Sequence, residues 1–117
     1  MRYKFHHQIW LAIQDQQIVG SIAIDGEDLG NNMAHLRWFI MDYKVRGKGV
    51  GGQLLTQALQ FVDAKGFEKT QLWTFNGLNA ARHLYESNGF KLAGENLGNQ
   101  WGTEIMEQRF CRAPQRP

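Results

Sequence analysis

The sequence predicts an α/β (α+β) domain, a mixed central sheet with two main helices packed on it. Apolar residues alternate at every second position up to Met41, then recur at three- and four-residue steps after Gly49. That helical rhythm returns once more beyond a short β-rich run, and both helical stretches stop at a glycine. The order β-β-β-α-β-α-β-β follows, and helices set between strands imply a sheet with helices laid on it.

Each element has its own signal. Ile9, Leu11 and Ile13 alternate with Trp10 and Ala12, "DQQ" turns the chain, and Ile18 to Ile24 continues as the second arm of a hairpin. "DGEDLGNN" is a polar loop. In "AHLRWFIM" strict alternation would put Leu36, Trp38 and Ile40 on one face and His35, Arg37, Phe39 and Met41 on the other. Val50, Leu54, Ala58, Phe61 and Val62 form the first helical stripe, closed at Gly66. "TQLWTF" is a short strand. Leu78, Ala81, Leu84 and Tyr85 mark a second helix, closed at Gly89. Phe90 to Ala93 and Thr103 to Phe110 are the last two strands, separated by "GNQWG".

A length of 117 residues implies one domain, spanning 1–117 with a polar tail from about residue 110. The formal charge of +2 is too small to argue for nucleic acid. No apolar run nears the roughly 20 residues that cross a bilayer, and "MRYKFHHQIW" lacks the apolar core of a signal peptide. One cysteine, Cys111, allows no internal disulfide and no Cys-rich zinc site. The expectation is a cytoplasmic protein without metal, nucleic-acid or membrane partners.

The stretch "VRGKGVGGQLL" is the most informative one. It joins a strand to a helix N-terminus, where the first four N–H groups have no internal partner and the dipole adds about half a positive charge. Glycines let a ligand approach those donors, and Arg46 and Lys48 add full charges, so the turn suits a phosphate. The spacing is neither a Walker loop nor the dinucleotide fingerprint. A tight connection that binds nothing is the competing reading.

Arg46-x-x-Gly49-x-Gly51 after an apolar strand resembles the pyrophosphate-binding motif of the GCN5-related N-acetyltransferase (GNAT) family. "AARHLYESNGF" resembles that family's second motif, A-x-x-L-Y-x-x-x-G-F, in the right order downstream. The likeness covers nearly the whole chain from about Trp10. It is nearest to acetyltransferase domains that follow winged-helix regulators, on "LRWFIMDYKVRGKGVGGQLL", "LWTFNGLNAARHLYESNGF" and "QWGTEIMEQRF". The resemblance implies the acyl-CoA N-acyltransferase fold and an acetyl-CoA-dependent N-acetyltransferase acting on a small-molecule or protein amine by direct attack. The alternative is a non-catalytic CoA-binding module or partner subunit.

By resemblance, the backbone of Phe39, Ile40 and Met41 would pair with the pantetheine arm. N–H groups of Gly47, Lys48, Gly49, Val50, Gly51 and Gly52 would hold the pyrophosphate, with Arg46 beside them. Tyr85 matches the tyrosine near the CoA sulfur, and a phenol there can act as general acid toward the leaving thiolate. It is also placed to be a core aromatic. Leu78 stands where the family often has asparagine; Asn79 and Asn76 are neighbours, and Asn79 is the candidate for the shifted contact. The strand before the turn has no carboxylate, so His35 is a weak base candidate, with a suitable ordinary pKa. Glu104 is another weak base candidate, and Arg37 is either an acceptor contact or a surface charge.

The family usually opens with a strand and two helices, and the sequence here is expected to be shortened at that end. Four tryptophans, Trp101 among them in a loop, suggest an exposed apolar patch covered in a homodimer.

Overall fold

Short-period alternation and turn chemistry build the first half. The computed structural model describes residues 7–75, 77–98 and 104–114. Strands β1 (His7–Gln14) and β2 (Gln17–Asp25) form the hairpin, with Asp15 and Gln16 both at positive φ in the two-residue turn. Strand β3 (Met33–Met41) returns antiparallel to β2. A 3-10 turn (Tyr43–Val45) then leads to helix α1 (Val50–Lys65), strand β4 (Lys69–Phe75), helix α2 (Asn79–Ser87), and strands β5 (Lys91–Gly98) and β6 (Ile105–Arg112).

The six strands form one sheet in the order β1-β2-β3-β4-β6-β5. Every neighbouring pair is antiparallel except β3 with β4, which α1 joins as a parallel crossover. Both helices feed one apolar cluster. Leu54, Leu55, Ala58, Leu59 and Val62 of α1 meet Ile22 and Ile24 of β2, Leu72 of β4, Tyr85 of α2 and Phe110 of β6. Ile22, Leu55 and Phe110 are fully buried, each worth about 1.5–3 kcal/mol of transfer free energy. Gly66, at φ 79°, closes α1. At the end of α2, Phe90 N–H reaches Tyr85 C=O at 3.1 Å and Gly89 N–H reaches Glu86 C=O at 3.2 Å, a glycine-ended cap.

The opposite sheet face is exposed. Cross-strand register aligns Leu11 with Ser21 and Ile40, and Ile9, Leu11, Ile13 and Ile40 are each about half exposed or more.

Two sequence expectations are corrected. Alternation in β3 does not run through. Trp38 sits at φ 55°, and one extra residue of β3 is fitted opposite Ile22, so the strand bulges. Ser21 Oγ donates to Trp38 C=O at 2.7 Å and holds the bulge. Leu36 therefore shares the helix-covered face with Phe39 and Met41, while Trp38 and Ile40 are 62% and 58% exposed. The polar tail also begins later than expected. β6 continues to Arg112, which is 4% exposed and grips Asp63 of α1 through two 3.0 Å hydrogen bonds. Arg112 Nε donates to Asn88 C=O as well, tying the last strand to the ends of both helices. The loop position of Trp101 lies outside the described residues.

Candidate active site

Strands β3 and β4 pair only through Met33, Ala34 and His35 against Lys69, Thr70 and Gln71. Beyond that the two strands part. The bulge at Trp38 turns β3 away, and the gap becomes a cleft of about 1470 Å³. That exceeds the roughly 300–1,000 Å³ of ordinary small-ligand pockets and suits an elongated guest. Along β3 the lining runs from Met41 back to His35, so the glycine turn stands at one end and the closed crotch of the two strands at the other.

The turn itself is rich in free donors. Gly47 and Gly49 are at φ 78° and 79°, left-handed conformations that L side chains rarely take. A Cβ at either position would meet nothing within 4 Å, so there is room above the backbone for a ligand. Gln53 N–H makes the first bond of α1, to Gly49 C=O at 3.1 Å, and the N–H groups of Val50, Gly51 and Gly52 precede it in the unpaired first turn. Lys48 N–H is committed within the turn to Val45 C=O at 3.2 Å, so its contribution is its charge. No acidic residue stands in the first turn of α1 to compete with an anion. A Cβ on Gly51 would stand 3.6 Å from both Leu84 and Phe39, so the bare backbone there lets the start of α1 lie close against the cleft's two walls.

Helix α2 supplies the third wall. Tyr85 is 7% exposed and packed among the rings of Phe39, Phe90 and Phe110, yet it also lines the cleft. Burial pushes its phenol up to about 12, so the group stays protonated at any physiological pH.

The cleft gathers most residues singled out in the sequence: Phe39, Ile40 and Met41, then Arg46, Gly47, Gly49, Gly51 and Gly52, then Asn79, Tyr85 and His35. Leu78 and Arg37 line it too. Lys48, Val50 and Glu104 do not, and Glu104 is exposed. Asn76 lies outside the described residues. The sequence reading missed Trp73, Thr74, Phe75, His83 and Glu107, which also line the cleft. Trp73 and Phe75 alternate along β4 opposite Arg109 and Glu107 of β6. The signal for them was the period of "TQLWTF", read earlier only for its strand.

Residues 5–92 match the family model described as "Acetyltransferase (GNAT) domain". The chain belongs to the GNAT family. Curated relatives include N-acetyltransferase 8B of Homo sapiens, 30% identical over 79% of this chain and 42% of its own. N-acetylaspartate synthetase of Xenopus tropicalis is 34% identical over 73% of this chain and 31% of its own. The chain thus spans less than half the length of these two relatives. Among solved structures, a Bacillus anthracis acetyltransferase in complex with acetyl coenzyme A superposes with TM-score 0.78. It is 26% identical and covers 94% of this chain and 64% of that one. A GNAT acetyltransferase of Streptococcus pneumoniae reaches TM-score 0.83 at 23% identity, covering 94% and 68%, a likeness of fold. The GNAT fold accounts for the mixed six-stranded sheet with two helices seen here.

Proposed function

We propose that this GNAT chain transfers the acetyl group of acetyl-CoA to an amine by direct attack of the amine nitrogen. The observation that carries this is convergence: the donor-rich turn, the splayed backbone of β3 and the Tyr85 phenol all border one elongated cleft. The residues present fit the cosubstrate. Free N–H groups at Gly47, Gly49, Val50, Gly51 and Gly52, with Arg46 and Lys48 nearby, suit a pyrophosphate. Among the described residues the β4-facing edge of β3 beyond His35 has no strand partner, and Phe39, Ile40 and Met41 offer it to the amide-bearing arm. Asn79 adds a polar contact from α2. Bound acetyl-CoA supplies an activated thioester.

The residues then divide the work. Tyr85 donates a hydrogen bond to the sulfur as charge develops there. His35, at the crotch of the splay, is the base for the acceptor amine. The acceptor enters across the exposed sheet face, past Trp38 and Trp73.

No helix among the described residues is long and apolar enough to cross a membrane. A cytoplasmic location is part of this reading, supported by the free Cys111. The exposed row Ile9, Leu11, Ile13 and Ile40 supports a homodimer that covers it. The likeness to domains that follow winged-helix regulators rests on the three stretches quoted above.

Turnover tests the reading: purified protein should release free CoA from acetyl-CoA with at least one amine of a broad panel. CoA binding in calorimetry without turnover on any amine would replace it with a non-catalytic CoA-binding module, which the lack of a carboxylate on β3 favours. No binding at all would remove both.

A further inference from the structure

We propose that Asp28, in the loop after β2, is a positioning residue that sets His35 in the tautomer needed to take the acceptor's proton. The inference deepens the proposed acetyl transfer and rests on it.

His35 lines the cleft at the last paired position of β3, where the strands begin to part. Its Nδ1 lies 2.8 Å from Asp28 Oδ2. A carboxylate can only accept, so Nδ1 carries the hydrogen, and in the neutral ring Nε2 then holds the lone pair. Nε2 has no partner among the described residues. In its neutral form the imidazole thereby turns its acceptor nitrogen, not its donor, away from Asp28.

The loop is built to keep Asp28 there. Asp25 Oδ1 accepts from Glu27 N–H at 3.0 Å and from Asp28 N–H at 3.1 Å, turning the chain back over β3. The Glu27 N–H is the main cause that holds the Asp25 carboxyl below its ordinary value, helped by the Asp28 N–H and by His7 and Arg37 against some desolvation. Asp25 is also the cross-strand partner of His35. Arg37, two residues along the same strand, stands 3.7 Å from Asp28 Oδ2, farther than the imidazole. Asp28 therefore serves His35 first, and Arg37 balances the charge. This is the logic by which a buried or half-buried carboxylate orients a catalytic imidazole.

The step balances. The amine lone pair forms the acetyl C–N bond as the C–S bond breaks, and the bonding pair leaves with sulfur. The nitrogen sheds one proton to His35 Nε2, which passes it to solvent. The sulfur, hydrogen-bonded by Tyr85, takes one proton from solvent and leaves as thiol.

Two measurements on the full chain test this. Nitrogen-15 NMR of the ring nitrogens, assigned through His35→Gln, should show His35 as the Nδ1–H tautomer, and Asp28→Asn should shift it toward Nε2–H. Kinetically, Asp28→Asn and His35→Gln should each lower kcat about 10²-fold, the usual worth of a positioned base. KM for acetyl-CoA should stay within about twofold, and the double variant should be no slower than His35→Gln alone. Glu27→Gln, in the same loop, should leave turnover unchanged. An Nε2–H tautomer in the unaltered protein would overturn the proposal without any assay of turnover. So would Asp28→Asn slowing the His35→Gln background further. Absence of turnover in the unaltered protein, with the Nδ1–H tautomer present, would instead remove the acetyltransferase reading and this one with it.

Discussion

The ring of Tyr85 lies 6.1 Å from that of Phe39, tilted by 52°, so the helix wall and the strand wall of the cleft meet at a single aromatic contact. Tyr85→Phe keeps that contact and removes only the hydroxyl. We expect kcat to fall about 10²-fold with acetyl-CoA affinity within twofold, read by thiol release and by calorimetry. Unchanged kcat would take Tyr85 out of the chemistry and leave it as core.

The same residue predicts an alkaline stability loss. An unfolded tyrosine ionises near 10, whereas the folded phenol is pushed up to about 12 by burial. Between those values the unfolded state holds fewer protons, so stability is full below pH 10 and falls as pH rises toward 12. Two pH units correspond to roughly 2–3 kcal/mol. Urea unfolding of the unaltered protein should lose that increment between pH 9.5 and about 12, and Tyr85→Phe should lose much less.

Gly49 separates backbone strain from charge. Its φ of 79° penalises any L side chain, yet a Cβ there meets no neighbour. Gly49→Ala should cost about 1 kcal/mol in melting and leave most ligand stabilisation intact. Gly49→Glu should cost the same strain and also set a carboxylate among the N–H donors. In acetyl-CoA at about 100 times Kd, the unaltered protein should gain roughly 2.7 kcal/mol. The glutamate variant should lose nearly all of that gain, and retention of it would move the anion elsewhere.

Arg112 and Asp63 predict stability far from the cleft. The guanidinium is 4% exposed, so Asp63→Ala leaves a charge buried with half its partners. A loss of roughly 3 kcal/mol in chemical unfolding is expected. Adding Arg112→Met should restore part of it, because the stranded charge is gone. A further loss in the double variant would mean that the Asn88 carbonyl contact dominates.

Much of this was legible in the sequence because local rules agreed with the fold. The order of elements, the two glycine stops and the donor-rich turn follow from period and from the dihedrals of Gly49 and Gly66. Most site residues proposed from the two motifs do line one cleft. What could not be read was set by tertiary pairing. Trp38 carries no mark of a left-handed conformation, since the bulge is imposed by β2 and by the Ser21 bond. Alternation therefore assigned Trp38, Phe39, Ile40 and Met41 to the wrong faces relative to Leu36. Asp28 sat in a loop read as polar and nothing more, because its tie to His35 spans the turn back onto β3. Arg112 looked like tail, since its anchor, Asp63, is 49 residues away.

The short pairing of β3 with β4 has a mechanical consequence. Three residue pairs form the pivot between two half-sheets, β1-β2-β3 and β4-β6-β5. Beyond the pivot, the blades diverge with no backbone bonds between them among the described residues, so no ladder holds their opening angle there. A guest seated between them acts as a rivet, replacing missing rungs on one blade while touching the other through α2. Affinity and rigidity then become two readings of one quantity: whatever tightens the rivet also slows the opening of the blades.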